Sequence, residues 1–357
     1  MTAETLVPAE SRPLVTVVLP AFNEGAILEA NMRVLQDYLA AHAQEFRWEV
    51  ILVNDGSSDA TGTIADALRG RYSNLQVVHH PGNFGLGQAF KTAFARSRGD
   101  YVVTLDIDLS YEPEHIGEML ARLRATRAKL VLASPYMKGG RISNVPWLRR
   151  TFSIWANRFL SFFAHGNLST LTCMVRAYDG PYVRALVLRS TGMDVMPETI
   201  YKSMILRARI EQVPAHLDWS RQIAVGKARR SSMRILRQIF ATVLSGFIFR
   251  PFMFFVLPGL VLLAFALWVN FWMVVHFFNA YAAIAPGTVP DRVSAAVAQA
   301  YQAYPHTFIV GLLALMLAIQ LISLGILALQ SKSYFEEIFH LGQNVKRSVE
   351  NPDRHRN

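Results

Sequence analysis

A chain of 357 residues, 52% of them hydrophobic, can bury one sizeable α/β core and a smaller unit besides. A single cysteine, Cys173, excludes an intramolecular disulfide framework. The formal charge of +10 does not indicate nucleic acid, because much of the basic excess adjoins two long apolar stretches, where anionic lipid headgroups are the nearer partner.

In chain order, residues 1–13 are expected to be a disordered lead-in, polar and without the apolar region of a signal peptide. Val15–Leu19 predicts a first strand, and Pro20-Ala21-Phe22-Asn23-Glu24 its exit loop. A helical pattern follows through Ile27, Met32, Leu35 and Leu39. Trp48–Val53 is a second strand, leaving through Asn54-Asp55-Gly56-Ser57-Ser58-Asp59 into a helix from Thr61. Leu75–His79 is a third strand, followed by Asn83-Phe84-Gly85-Leu86-Gly87-Gln88-Ala89 and a helix to Ser97. The fourth strand, Val102–Leu105, ends in Asp106-Ile107-Asp108-Leu109-Ser110. This alternation predicts right-handed βαβ units and a mostly parallel sheet whose polar exits share one edge.

Two carboxylates one residue apart repel unless a proton or cation intervenes, so Asp106 and Asp108 point to a hard divalent metal, Mg²⁺ or Mn²⁺. Mg²⁺ favours one or two carboxylates plus substrate phosphates, which implies a phosphate-bearing ligand. A dinucleotide fingerprint fails, because Phe90 stands at its third glycine; a hydride-transfer enzyme is disfavoured. Further on, Leu130–Ser134 predicts another strand, and Arg149, Ser153 and Asn157 recur on one helical face.

The run P-A-F-N-E, N-D-G-S-S-D, N-F-G-L-G-Q-A and D-I-D-L-S-Y-E-P, in this order, resembles the family 2 glycosyltransferases, and among them the polyprenyl-phosphate sugar transferases. The resemblance covers residues 14 to about 230 and extends to the membrane-helix tail. It implies a GT-A-type, Rossmann-like domain. Pro20, Ala21, Asn23, Glu24, Asp55, Gly56, Ser57, Lys91 and Asp106 would then hold a nucleotide-sugar donor. Asp106 and Asp108 would hold the metal, and with Arg176 would form the catalytic set. Arg149, Ser153, Arg176, Lys227 and Arg229, with Arg230 beside them, would receive an acceptor phosphate. Three positions depart from relatives: Ser110 for a Gln, Thr170 for an Asp, and Met174 for a Gly. The first leaves the third metal ligand open and the second leaves the base open, with Asp194 and Glu198 as reserve carboxylates.

Residues 252–278 and 307–330 contain no Asp, Glu, Lys or Arg. As helices they would run roughly 40 Å and 36 Å, enough to cross a hydrocarbon core of about 30 Å. The expected organisation is a transferase domain to 230, an interfacial amphipathic helix over 231–250, a first span over 251–278, a loop to 306, a second span over 307–330, and a tail. The helix over 231–250 carries the apolar stripe Ile235, Leu236, Ile239, Phe240, Val243, Leu244 and Phe247. Basic residues on the domain and tail sides, against only Asp291 and Arg292 in the loop, put both termini in the cytoplasm. The reading is an inverting, metal-dependent hexosyltransferase from a UDP- or GDP-sugar to a polyprenyl phosphate, with homo-oligomerisation open. Its alternatives are a transferase with a hydroxyl acceptor, against which the missing Q-x-x-R-W element of processive synthases counts, and a non-catalytic, membrane-tethered nucleotide-sugar scaffold.

Overall fold

The computed structural model describes residues 12–147, 150–151, 153–155, 157–158, 168–220 and 252–350. The lead-in before Arg12, Arg149, the Lys227/Arg229/Arg230 cluster, the expected interfacial helix and the last seven residues lie outside the described residues. Two compact units result: residues up to Ser245 together with those from Phe339 on, and Gly246–Ile338.

The first unit is built on a seven-stranded sheet of order β3-β2-β1-β4-β7-β5-β8. Its strands are β1 (Leu14–Ala21), β2 (Arg47–Asn54), β3 (Leu75–His79), β4 (Tyr101–Thr104), β5 (Leu130–Ser134), β7 (Arg176–Asp179) and β8 (Ile210–Pro214). Strands β3, β2, β1 and β4 are parallel neighbours, so their exits open on one edge. Only β7 runs antiparallel, wedged between β4 and β5. Val50 to Asn54 in β2 and Val15 to Leu19 in β1 are buried throughout, as strands covered on both faces must be.

One face is covered by α1 (Gly25–Ala41), α2 (Thr61–Arg71) and α4 (Glu114–Thr126). Leu28, Met32, Leu35 and Leu39 recur every three or four residues along α1 and pack on Val15, Val17 and Leu19. Because side chains alternate along a strand, Tyr178 of β7 faces the other way from core residue Ala177. There it meets Phe94 of α3 (Leu86–Arg96) edge-on, ring centroids 5.5 Å apart. Helices α5 (Gly180–Ala185) and α6 (Val195–Ile205) follow β7. A separate two-stranded sheet joins β6 (Arg141–Ser143) to β9 (His216–Asp218).

The second unit is a helical hairpin. A π-helical turn, Phe252–Val256, leads into α7 (Leu257–Ala283), and α9 (Pro305–Glu350) returns, with its residues up to Ile338 in this unit. Phe254–Ala283 and Pro305–Gly342 are both long and apolar enough to cross a membrane. Glycines set their approach: a Cβ on Gly259 would come 2.8 Å from Ile322, and one on Gly325 2.3 Å from Val256. Asn270 Nδ2 donates to the Gly311 carbonyl at 3.0 Å, the kind of interhelical bond that satisfies a polar side chain in an apolar span. Between the spans the expected loop contains a further helix, α8 (Arg292–Ala303), capped by Asp291, whose side chain accepts from Val293 and Ser294 N–H. Ala296 and Ala300 of α8 pack on Ala280 of α7, close contacts that only small side chains allow.

Candidate active site

The first two exits are knitted together by short polar side chains. Asn23, at φ +56°, accepts Ser58 N–H through Oδ1 at 2.9 Å, while its own N–H donates to Ser57 Oγ at 3.0 Å. Glu24 N–H donates to Thr61 Oγ1 at 2.9 Å and Gly25 N–H to Asp59 Oδ2 at 3.1 Å. Gly56, at φ +66°, is obligatory because a Cβ there would lie 2.2 Å from the backbone of Gly82. Pro20, Ala21, Asn23, Glu24, Gly56 and Ser57 therefore share one edge, as the motifs implied.

Asp55 is buried at 4% exposure and binds inward. Its carboxylate accepts Phe84 N–H at 3.0 Å and Gly85 N–H at 2.8 Å, and meets His80 Nδ1 at 2.7 Å. The far nitrogen of His80 lies 3.0 Å from Thr92 Oγ1 on α3. Asp55 thus ties the second exit to the third. Lys91 Nζ donates to the Arg189 carbonyl at 3.3 Å, bracing the loop after α5.

Strand β4 stops at Thr104, so both carboxylates of the D-x-D sequence sit in the turn beyond it. Leu109 N–H closes that turn on the Asp106 carbonyl at 3.1 Å, with Leu109 at φ +49°. Ser110 donates twice to Asp108 Oδ1, from N–H at 2.9 Å and from Oγ at 2.6 Å. The serine orients the carboxylate, the part a Gln ligand was expected to fill differently. Two hard carboxylates on one turn suit Mg²⁺ or Mn²⁺ completed by substrate phosphate oxygens and water; among the described residues no third His, Cys, Asp or Glu joins them in a metal-sized cluster.

Arg176 requires correction. It is wholly buried, and its guanidinium donates to three backbone carbonyls: Nε to Cys173 at 2.7 Å, Nη1 to Met196 at 2.9 Å and Nη2 to Leu171 at 2.9 Å. It is an internal clamp and presents no face to an acceptor phosphate. Glu198 is likewise a staple, accepting Arg189 and Ser190 N–H at 2.8 and 2.9 Å and pairing with buried Lys202. Thr170, fully buried, donates to Asn157 Oδ1, which also accepts Leu171 N–H and Thr172 Oγ1. Ser153 bonds Tyr136 through its hydroxyl. The Ser153–Asn157 face therefore shapes the site's frame, and burial pushes the nearby Cys173 thiol up to about 11, an inert packed thiol.

The adjacent helical strip was missed. Arg150, Ile154 and Arg158 line an open cleft of about 890 Å³ together with Tyr136, Arg141 and Ser169. The signal was the same i, i+4, i+8 recurrence shifted by one residue. The β6 wall of this cleft reaches the D-x-D turn through its partner strand: Asp218 N–H donates to the Ser110 carbonyl at 2.9 Å, and Leu217 bridges Tyr111.

A mostly parallel sheet with donors, carboxylates and an arginine cleft along its carboxyl edge defines an open α/β ligand-binding domain of the GT-A-like class. The model of the glycosyl transferase family 2 matches residues 16–185. The undecaprenyl-phosphate mannosyltransferase of Micrococcus luteus is 30% identical over 207 residues, 56% of this chain and 82% of that protein. Glycosyltransferase AglD of Haloferax volcanii is 30% identical over 187 residues, half of this chain but only 30% of AglD's length. A crystal structure of glucosyl-3-phosphoglycerate synthase from M. tuberculosis is 22% identical, with 69% of this chain and 85% of that one covered at a TM-score of 0.49. The chain belongs to the family 2 glycosyltransferases.

Proposed function

We propose that this glycosyltransferase moves one hexose from a UDP- or GDP-sugar to a polyprenyl phosphate at the cytoplasmic face of a membrane, with inversion at the sugar carbon. The observation that carries the reading is the Ser110–Asp218 link, which joins the paired carboxylates to a cleft lined by Arg141, Arg150 and Arg158. Arginines suit a phosphate, since the guanidinium fork matches its oxygens. Trp147 and Trp155, 72% and 53% exposed, suit a domain resting at a bilayer interface. The name of the M. luteus relative points to the same class of acceptor.

In the proposed reaction a lipid phosphate oxygen attacks the anomeric carbon. The bond from that carbon to the nucleotide's β-phosphate oxygen breaks, and the nucleoside diphosphate departs. A phosphate monoester has a second pKa near 6, so it is an oxyanion at neutral pH and needs alignment more than deprotonation. This accords with Thr170 standing where relatives carry an Asp. Asp106 and Asp108 would hold the divalent metal, which supplies charge neutralisation for the leaving diphosphate. The nucleotide would lie against Pro20, Ala21, Asn23, Glu24 and the Asp55-Gly56-Ser57 turn. Lys227 and Arg229 would serve the acceptor from the membrane side.

The test is nucleoside-diphosphate release by the purified full chain with Mg²⁺ or Mn²⁺. A panel of nucleotide sugars is paired with a short polyprenyl phosphate, or with the free polyprenol. Release that requires the phosphate is expected. Release with the alcohol alone would assign a hydroxyl acceptor, and donor binding without turnover on either would leave a scaffold.

A further inference from the structure

At the opposite end of the sheet, where β1, β2 and β3 begin, lies a second pocket of about 460 Å³. Arg12, Arg47 and Arg71 line it, with Trp48 and Asn74, and no Asp or Glu does. Glu29 pairs with Arg71 at 3.0 Å from outside the lining. Among the described residues only three buried side-chain nitrogens or oxygens lack a hydrogen-bond partner, and two of them, Arg12 Nε and Trp48 Nε1, belong to this pocket. Buried donors are normally satisfied, and indole N–H can only donate, so what completes the pair must accept. Aromatic side chains Phe46, Trp48 and Tyr72 form part of the wall of this open pocket, and the arginines beside them offer an anion charge-assisted bonds.

We propose that this pocket is an oxyanion-binding site, separate from the transfer site at the other edge, that takes a phosphate group through the Arg12 and Trp48 donors with Arg47 and Arg71 supplying charge. A free phosphate compound and an anionic lipid headgroup share that chemistry. Asn74 already donates to Gln36 Oε1 at 3.1 Å, so the anion is held by the arginines and the indole.

The experiment follows the indole N–H resonances of ¹⁵N-tryptophan-labelled full chain in nanodiscs, with Trp48 assigned by its loss in Trp48→Phe. Inorganic phosphate and pyrophosphate are titrated in neutral phosphatidylcholine discs, with the transfer site saturated by UDP or GDP. A parallel sample uses discs containing phosphatidylglycerol without added phosphate. A saturable Trp48 shift in the first arm assigns a free anion, and a shift only in the second assigns a headgroup. Either is weakened about tenfold or more in Arg12→Gln/Arg47→Gln, the loss of one or two charge-assisted bonds. No Trp48 shift in either arm would leave its donor to trapped water and overturn the site. A shift produced only by Glu10→Gln would assign the donor to the chain's own carboxylate and overturn it equally.

Discussion

Ser110 shows how a substituted position can keep the chemistry of its neighbour. Its hydroxyl and N–H both hold Asp108 Oδ1, so the carboxylate stays oriented without a third side-chain ligand. Ser110→Ala is expected to lower metal affinity or turnover about 10- to 100-fold, the usual effect of losing an outer-shell partner; metal-titrated diphosphate release measures it. Arg176 has the opposite lesson, a cation turned into a structural part. Arg176→Lys strands carbonyls of Leu171, Cys173 or Met196 and should cost about 3–5 kcal/mol in chemical denaturation. Unchanged stability with a raised acceptor KM would restore its ligand role. Burial pushes the Glu198 carboxyl up, but Lys202 and the Arg189 and Ser190 N–H groups outweigh it and hold the carboxyl below its ordinary 4.5. A lowered folded-state value stabilises above the ordinary one and is lost as pH falls through it. Protection of the Arg189 and Ser190 amides, measured against their intrinsic exchange rates, should therefore fall as pH drops below 4.5, and Glu198→Gln should remove that acid limb.

At the scale of elements, the helical hairpin depends on small residues where helices meet and one polar bond inside the apolar stretch. Asn270→Leu removes the bond to Gly311 and is expected to weaken the hairpin by about 0.5–2 kcal/mol. Detergent-induced unfolding of the full chain reads this, and an effect below that range would mean lipid or water satisfies the amide equally well. The loop between the spans holds a helix that was expected only as loop: Asp291 caps it, Ala296 and Ala300 form its buried side, and Arg292 anchors it on Tyr281, guanidinium 4.1 Å from the ring centroid. Likewise α9 continues to Glu350, far past the apolar run that was expected to end it, because Lys, Glu, Gln and Arg are good helix formers in water.

For the whole molecule, the arginine cleft proposed to take the acceptor is where charge should decide substrate binding. Arg150→Glu combined with Arg158→Glu should raise the acceptor KM strongly while leaving nucleotide binding within about twofold, since the donor motifs lie on other exits. The wild-type acceptor KM should climb with salt and the variant's should not. Equal loss of donor and acceptor binding would show that the cleft only supports the fold.

What the sequence determined by itself was everything written in local periodicity and ordered motifs. Four buried strands, their polar exits on one edge, the D-x-D turn and two apolar spans were legible because burial on both faces leaves continuous apolar runs. Tertiary structure decided which polar side chains look outward. Asp55, Arg176, Lys91 and Glu198 carry the same charges in either role, and only their neighbours show that each binds backbone or a buried partner. The antiparallel insertion of β7 between β4 and β5 was also invisible, since non-local pairing leaves no period in the chain. The arginine cleft arises the same way. Arg141 on one strand and Arg150 and Arg158 on a helix converge only after β6 has paired with β9, and β9 with the turn that carries the carboxylates.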